Sequence, residues 1–348
     1  MRTYNYRSEA LRLLDFESVN SIGYAYGFKE RYALAKSHIP CMLEEMAKIS
    51  LIHEIMTGLN IENRMISKDR VIELVLSNSL ANNYEERLVV GYQKAFKAIY
   101  NGELENDDVY AASKRLHKLL YSQMPGKQNL WRTSNEPMHR GAEAHLLKHQ
   151  PIPAEDAPES FKQICDECQG ILSDKIINVL YIIPVFIIDT VYIQPFEKEA
   201  VLLVRLLVLH ILHNAGFPIF EYTCMGVVPH EYIVELYSTI GKGLLHWEQE
   251  ANDYKPVFDY WMDVIQKSCS LFNSWASSMK ENTIIKQKLI EKYIKVIDGK
   301  VTKQMIRDFS IGISDNTISL ALSNLLKAGV IEKLHQGRST AYRYIGEI

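Results

Sequence analysis

From Glu9 to about Leu119 apolar residues recur at the three- and four-residue spacing of amphipathic helices, in segments such as "YALAKSHIPCMLEEMAKISLIHEIM" and "EERLVVGYQKAFKAIY". The spacing predicts a set of packed helices. "NGELENDD", from Asn101 to Asp108, is a turn-rich polar break, and "DDVYAASKRLHKLLYSQM" resumes the helical pattern with acidic residues in its first turn. Between Pro125 and Pro158 the periodicity lapses into a stretch rich in turn formers, with room for at most a short hairpin. Loops of that length in a compact domain are usually functional or act as lids. Helices return at Glu159 and continue to about Ser278. Within them, "IINVLYIIPVFIIDTVYI" is about one membrane span long, but Asn178, Pro184 and Asp189 interrupt it and no basic flank anchors it, so a buried core helix is expected.

"WASSMKENT", from Trp275 to Thr283, reads as a polar linker and places a domain boundary. Beyond it, Ile284 to Ile348 read as three helices and a β-hairpin. "IIKQKLIEKYIKVI" stops at Gly299, and "TKQMIRDF" starts on Thr302 as N-cap. Ser314 caps "DNTISLALSNLLKAG", in which Ile318, Leu322, Leu325 and Leu326 form one apolar stripe and Gly329 ends the helix. "VIEKLHQGRSTAYRYI" then alternates around a turn at Gln336 and Gly337. This order is that of a winged helix-turn-helix, which places its third helix in the DNA major groove and its wing on phosphate. Asn316, Thr317, Ser319, Ser323 and Asn324 are the candidates for the outward face, with Lys303, Arg307, Lys327, Lys333, Arg338 and Arg343 as phosphate-neutralising cations. Against this, Lys327 is the lone cation of the recognition-helix candidate, and such a unit also serves for protein contacts or dimerisation.

Charge sharpens that division. The net charge of −3 conceals 11 Lys and Arg against 6 Asp and Glu in residues 284–348, a local +5, so residues 1–283 carry −8. Double-stranded DNA is therefore the expected partner of the C-terminal end. Cys41, Cys165, Cys168, Cys224 and Cys269 are scattered and odd in number, which argues against a secreted disulfide framework. Cys165 and Cys168 form a lone CxxC inside a helical pattern, read as structural. The N-terminus carries charges where a secretory signal needs an apolar run, so a cytoplasmic protein is expected, without membrane association.

One stretch carries candidate chemistry. "IDTVYIQPFEKEAVLLVRLLVLHILHNAGF" resembles the central motif of Fic-domain proteins, HPFx(D/E)GNGRxxR, through Asp189, Ile193, Pro195, Phe196, Arg205, Leu206, Leu207 and Gly216. "GLNIENRMISKDRV" is similar to the family's inhibitory-helix motif (S/T)xxxE(G/N), "LWRTSNEPM" to the segment before its target-docking flap, and Gly337 to Tyr342 to the wing of members ending in a winged helix. The resemblance implies a mainly α-helical fold. Residues 1–110 would be an N-terminal region with an inhibitory-helix remnant, 111–278 a Fic-like bundle with a short β-hairpin flap at Glu143 to His149, and 284–348 the winged helix.

The family's reaction, usually transfer of AMP from ATP to a protein hydroxyl, requires a base, a metal-bound phosphate and an anion cradle at a helix N-terminus. At the base position stands Gln194, whose amide does not titrate near neutral pH. At the metal-ligand position stands Lys198, which repels Mg²⁺. Glu199, Ala200 and Val201 replace the cradle's Gly-Asn-Gly, Leu202 replaces the first Arg, and only Arg205 is kept. Loss of the base alone costs on the order of a hundred- to ten-thousandfold in rate. No catalytic residue, cofactor or metal is therefore assigned, and a DNA-binding transcriptional regulator is expected. The alternatives are a residual nucleotide-binding or AMP-transferring enzyme using Lys198 and Arg205 with ATP and Mg²⁺, or a protein-interaction module gripping a partner through the flap. A homodimer is compatible with each. Lys198 and Glu199 are expected to face solvent, and Glu62, followed by Asn63, to pair with Arg205 as a remnant of inhibition, with Gly58 at the hydroxyl position. His210 and His213 read as satisfied histidines, and His139, His145 and His149 lack consistent ligand spacing.

Overall fold

The computed structural model describes residues 2–38, 40–77, 79–126, 128–137, 145–147, 149–226, 230–278, 284–297, 299–309, 313–334 and 340–346. Six helices precede the long irregular segment: α1 (Tyr6–Arg12), α2 (Phe16–His38), α3 (Pro40–Ile61), α4 (Lys68–Ser77), α5 (Tyr84–Tyr100) and α6 (Val109–Leu120). Local chemistry sets their starts. Asn83 and Asp108 accept hydrogen bonds from the amides of Glu86 and Ala111, at 2.9 and 2.6 Å, capping α5 and α6. After the irregular segment come α7 (Ala157–Asp174), α8 (Val179–Ile193), α9 (Ala200–Asn214), α10 (Ile219–Tyr222), α11 (His230–Leu244) and α12 (Lys255–Ser278).

α8 takes up the apolar run Ile176 to Ile193 from Val179 onward, with Asn178 as its N-cap. It is apolar all round and buried on nearly every face, as a central helix must be. No helix among the described residues is long and apolar enough to cross a membrane. α9 lies beside α8 and also packs on α3, α5 and α6. The close approach of α5 to α6 needs Gly91: a Cβ there would stand 1.8 Å from the Leu120 carbonyl oxygen. At the centre of α8, Asp189 accepts from the Trp247 indole at 2.7 Å and the Tyr254 hydroxyl at 2.8 Å, and burial pushes its carboxyl up to about 6.

The C-terminal stretch holds α13 (Ile284–Ile297), β1 (Val301–Thr302), α14 (Lys303–Phe309), α15 (Asp315–Lys327), β2 (Ile331–Lys333) and β3 (Ala341–Tyr344). The strands form an antiparallel sheet in the order β1-β3-β2, with Val301 opposite Tyr342 and Lys333 also opposite Tyr342. The expected caps are in place: Thr302 Oγ1 accepts from the Met305 amide at 3.1 Å and Ser314 Oγ from Thr317 at 3.3 Å. Two expectations are corrected. β1 is a third strand that periodicity did not show, because two residues are too few to alternate. Trp275 to Ser278 continue α12 and are not linker, since the helical hydrogen-bond ladder runs on where apolar content falls. The remaining linker residues 279–283, the hairpin turn at 335–339 and, in the expected flap, Glu143, Ala144 and Lys148 lie outside the described residues; the flap's described residues, 145–147 and 149, hold no strand of the expected hairpin.

Candidate functional site

The motif-like segment runs from the end of α8 to the start of α9. Gln194 closes α8 in a left-handed conformation, φ 47°, its amide donating to the Thr190 carbonyl at 2.9 Å. Phe196 anchors the loop in the core against Phe161 and Trp131, and a β-bridge joins it to Trp131. Arg132 then clamps the backbone. Its guanidinium donates to the carbonyls of Gln194 (2.6 Å), Ser134 (2.8 Å), Ile193 (3.2 Å) and Ile152. Pairing alternation around "LWRTS" could have flagged this contact; nothing in the sequence pointed to Arg132 itself.

At the N-terminus of α9 the structure departs from expectation. Glu199 is not solvent-facing: only 2 % exposed, it holds φ 46° and points its carboxylate into the protein. That carboxylate pairs with Arg64 and accepts from the hydroxyls of Tyr84, at 3.1 Å, and Tyr121. Burial and the adjacent Glu199 charge hold Tyr84 up at about 12 and Tyr121 higher still, so both remain protonated donors. Glu62 does not pair with Arg205. Its Oε1 accepts the Val201 amide at 2.8 Å, capping α9 from outside the helix. Asn63 follows in a left-handed turn, φ 54°. Glu62 thus takes one amide at the positive end of the helix dipole, where an anion would be received, while the Glu199 carboxylate makes no cap hydrogen bond to α9. Lys198, between them in sequence, is exposed.

Arg205 is buried and its partner is Glu54, one of the functional-looking residues that sequence reading missed. Glu54 Oε1 accepts from Arg205 Nε at 2.7 Å and from the Tyr92 hydroxyl at 3.1 Å, while Oε2 takes the Met225 amide at 2.9 Å and the Cys224 thiol at 3.3 Å. The signal was available as helical spacing: Glu54 and Gly58 stand four apart on the face of α3 turned to α9, and Glu62, four further on, lies just past its end. Gly58 leaves room there for Leu202. A Cβ would lie 2.5 Å from Leu202 Cδ2, so the side chain in the first-Arg position fills the space that a hydroxyl residue at 58 would need.

Gln194 is buried, and its Nε2 lies 3.3 Å from His149 Nε2. The His149 ring packs on Tyr192, and burial lowers its pKa, keeping it neutral near pH 7. A neutral imidazole therefore adjoins the amide. His210 is buried, with Nε2 3.2 Å from Asn214 Nδ2; His213 stands edge-on to Tyr100; His145 is exposed; His139 is outside the described residues. Cys165 and Cys168 are buried on α7, and burial pushes both thiols up. Among the described residues no group of three His, Cys, Asp or Glu is placed to hold a metal.

In the C-terminal stretch, Asn316, Ser319 and Lys327 are exposed on α15, with Thr317 and Ser323 half-buried; Lys333 is exposed on β2. Lys303 Nζ donates to Ser319 Oγ at 2.8 Å. Asn324 is turned inward, donating to Gln287 of α13 at 3.0 Å. Arg307 is held bidentately by Asp315, at 2.7 and 2.6 Å, and Arg343 by Glu332 at 2.7 Å. Arg338 lies outside the described residues.

No protein-family model matches the chain, and no curated protein does. Among solved structures, the crystal structure of a Fic family protein from Desulfovibrio desulfuricans G20 aligns over 96% of this chain and 97% of that one, with a TM-score of 0.60 at 17% identity. Together with the helix order, this gives the chain a Fic-like, mainly α-helical fold with a small sheet.

Proposed function

We propose that the chain is a catalytically inactive Fic-like protein of the cytoplasm that acts as a DNA-binding transcriptional regulator. In this reading residues 1–110 and 111–278 form the helical body, and 284–348 a winged helix. The observation that carries it is the start of α9, where Glu62 takes the Val201 amide and a buried Glu199 stands in place of a glycine. A nucleotide phosphate arriving there would meet the Glu62 carboxylate on the Val201 amide, and Gln194 offers no base.

The C-terminal order of helices and strands, with the local charge of +5, supports duplex DNA as partner. α15 presents Asn316 and Ser319 for base edges or phosphate, and Leu320, 57 % exposed, for a thymine methyl. Fluorescence anisotropy of duplexes from around the chain's own gene tests this. If Lys303, Lys327, Lys333 and Arg338 each neutralise a phosphate, affinity falls roughly a hundredfold between about 50 and 200 mM salt. Truncation after Ser278 should abolish the signal, and Lys327→Glu should weaken it. A second reading, protein contacts alone, is favoured by exposed Leu320 and by the carboxylate pairing of Arg307 and Arg343. It predicts no DNA signal, with self-association lost on Leu320→Glu.

A further inference from the structure

Contacts on three sides fix the rotation of α15. Ile318, Ala321, Leu322 and Leu325 are buried and form its inner stripe. On one flank, Arg307 of α14 pairs bidentately with Asp315, and Lys303 Nζ donates to Ser319 Oγ at 2.8 Å. The Ser319 hydroxyl in turn donates to the Asp315 carbonyl at 2.7 Å, so its proton is spent inside the helix. On the other flank, Asn324 donates to Gln287 of α13 at 3.0 Å, and Thr317 Oγ1 lies 2.9 Å from Ser314 Oγ at the cap. At about 3.6 residues per turn, the stripe opposite the buried one is Asn316, Leu320, Ser323 and Lys327. Asn316, Leu320 and Lys327 are exposed, Leu320 by 57 %, and Ser323 is half-buried. The side chains of Asn316, Ser323 and Lys327 make no hydrogen bond or ion pair among the described residues.

The chemistry of this outward stripe is uneven. An amide such as Asn316 matches the N7 acceptor and N6 donor of adenine, and an apolar side chain such as Leu320 matches the C5-methyl of thymine. Guanine calls for a cation on its paired acceptors, and Lys327, the cation of the stripe, lies about 16 Å along the axis from Asn316. Asn316 and Leu320 are about 6 Å apart by the same helical rise, close to two base-pair steps of about 3.4 Å. We propose that these two residues make the face selective for an A·T-containing major-groove site, Asn316 on adenine and Leu320 on a thymine methyl within about two base pairs of it. The local charge of +5 in residues 284–348 favours duplex DNA as the occupant. One leucine beside an amide, a hydroxyl and an ammonium offers little of the apolar centre that a self-associating face needs. The inference rests on the reading of residues 284–348 as a DNA-binding unit, and deepens it by naming the base pairs recognised and the side chains that choose them.

The probe is the duplex that the full-length protein enriches from a randomised pool, with binding followed by fluorescence anisotropy at low salt. Each thymine is replaced in turn by uracil, which lacks only the methyl, and each adenine by 7-deazaadenine, which lacks the N7 acceptor. At one thymine, uracil is expected to weaken wild-type binding about fourfold and to leave binding of Leu320→Ala unchanged. At one adenine, the 7-deaza base should weaken wild-type binding roughly two- to tenfold, with no further loss in Asn316→Ala. The base changes leave the protein untouched, so the wild-type measurements decide even where a variant does not fold. The proposal is overturned if enrichment returns no shared A·T pair, if uracil weakens wild-type binding at no position, or if the uracil penalty persists in a folded Leu320→Ala protein. Salt-dependent binding that is blind to sequence overturns this assignment and leaves the DNA-binding reading standing. No binding to any duplex at low salt overturns both.

Discussion

A guanidinium inside a protein needs a counter-charge, and Arg205 finds it in Glu54 rather than in Glu62. The pair is surrounded by donors that satisfy both Glu54 oxygens, so removing one partner strands the other charge. Glu54→Gln should destabilise the protein by roughly 3–5 kcal/mol in urea unfolding. Combining it with Arg205→Leu should cost less than the sum of the two single changes. Additivity would show that the contact contributes nothing specific. At this scale the sequence was partly legible. The substitutions at 194, 198, 199 and 202 stood in plain view, and their chemistry follows from residue type. Where Glu199 points did not follow, because a carboxylate beside a helix start is equally at home in water or on buried tyrosines. Only the fold brings Arg64, Tyr84 and Tyr121 to it.

α9 shows how an element can keep its place while its ends change partners. Its N-terminus is capped by Glu62, its first turn packs Leu202 over Gly58, and its third turn buries His210. Burial pushes the His210 imidazole from 6.5 down to about 4. The unfolded chain takes up this proton near pH 6.5 and the folded chain only near pH 4, so stability present above 6.5 is lost as pH falls through that window. Between about pH 7 and pH 5 the loss is on the order of 2 kcal/mol, and His210→Gln should remove that share of the acid-induced fall in melting temperature. An unchanged pH profile in the variant would mean that His210 is not held neutral. His53, also pushed down to about 4, acts in the same direction. Asp189 acts in the opposite one: its raised carboxyl favours folding below its ordinary value, and that contribution is lost as pH rises through about 6. Helices were legible because periodicity records the face each one buries. β1 and the last turn of α12 were not, because one is too short for a pattern and the other is continued by backbone hydrogen bonds alone.

At the scale of the whole molecule, a few shape-bearing residues carried the fold. Asp189 on its indole and hydroxyl donors, Phe196 in the aromatic core and the apolar length of α8 tie together the helices around the motif, in a framework that aligns with the Fic family crystal structure. The charge division between body and C-terminal end was equally readable. What sequence could not give was the interior of the cleft, since its carboxylate stopper arises from side chains 78 to 139 positions apart in the chain. The central claim is that this stopper has replaced the phosphate site. Calorimetric titration of ATP into the full-length protein, with and without Mg²⁺, tests it most directly. The account predicts no saturable heat at millimolar nucleotide in either condition; a saturable, Mg²⁺-dependent binding heat would contradict it.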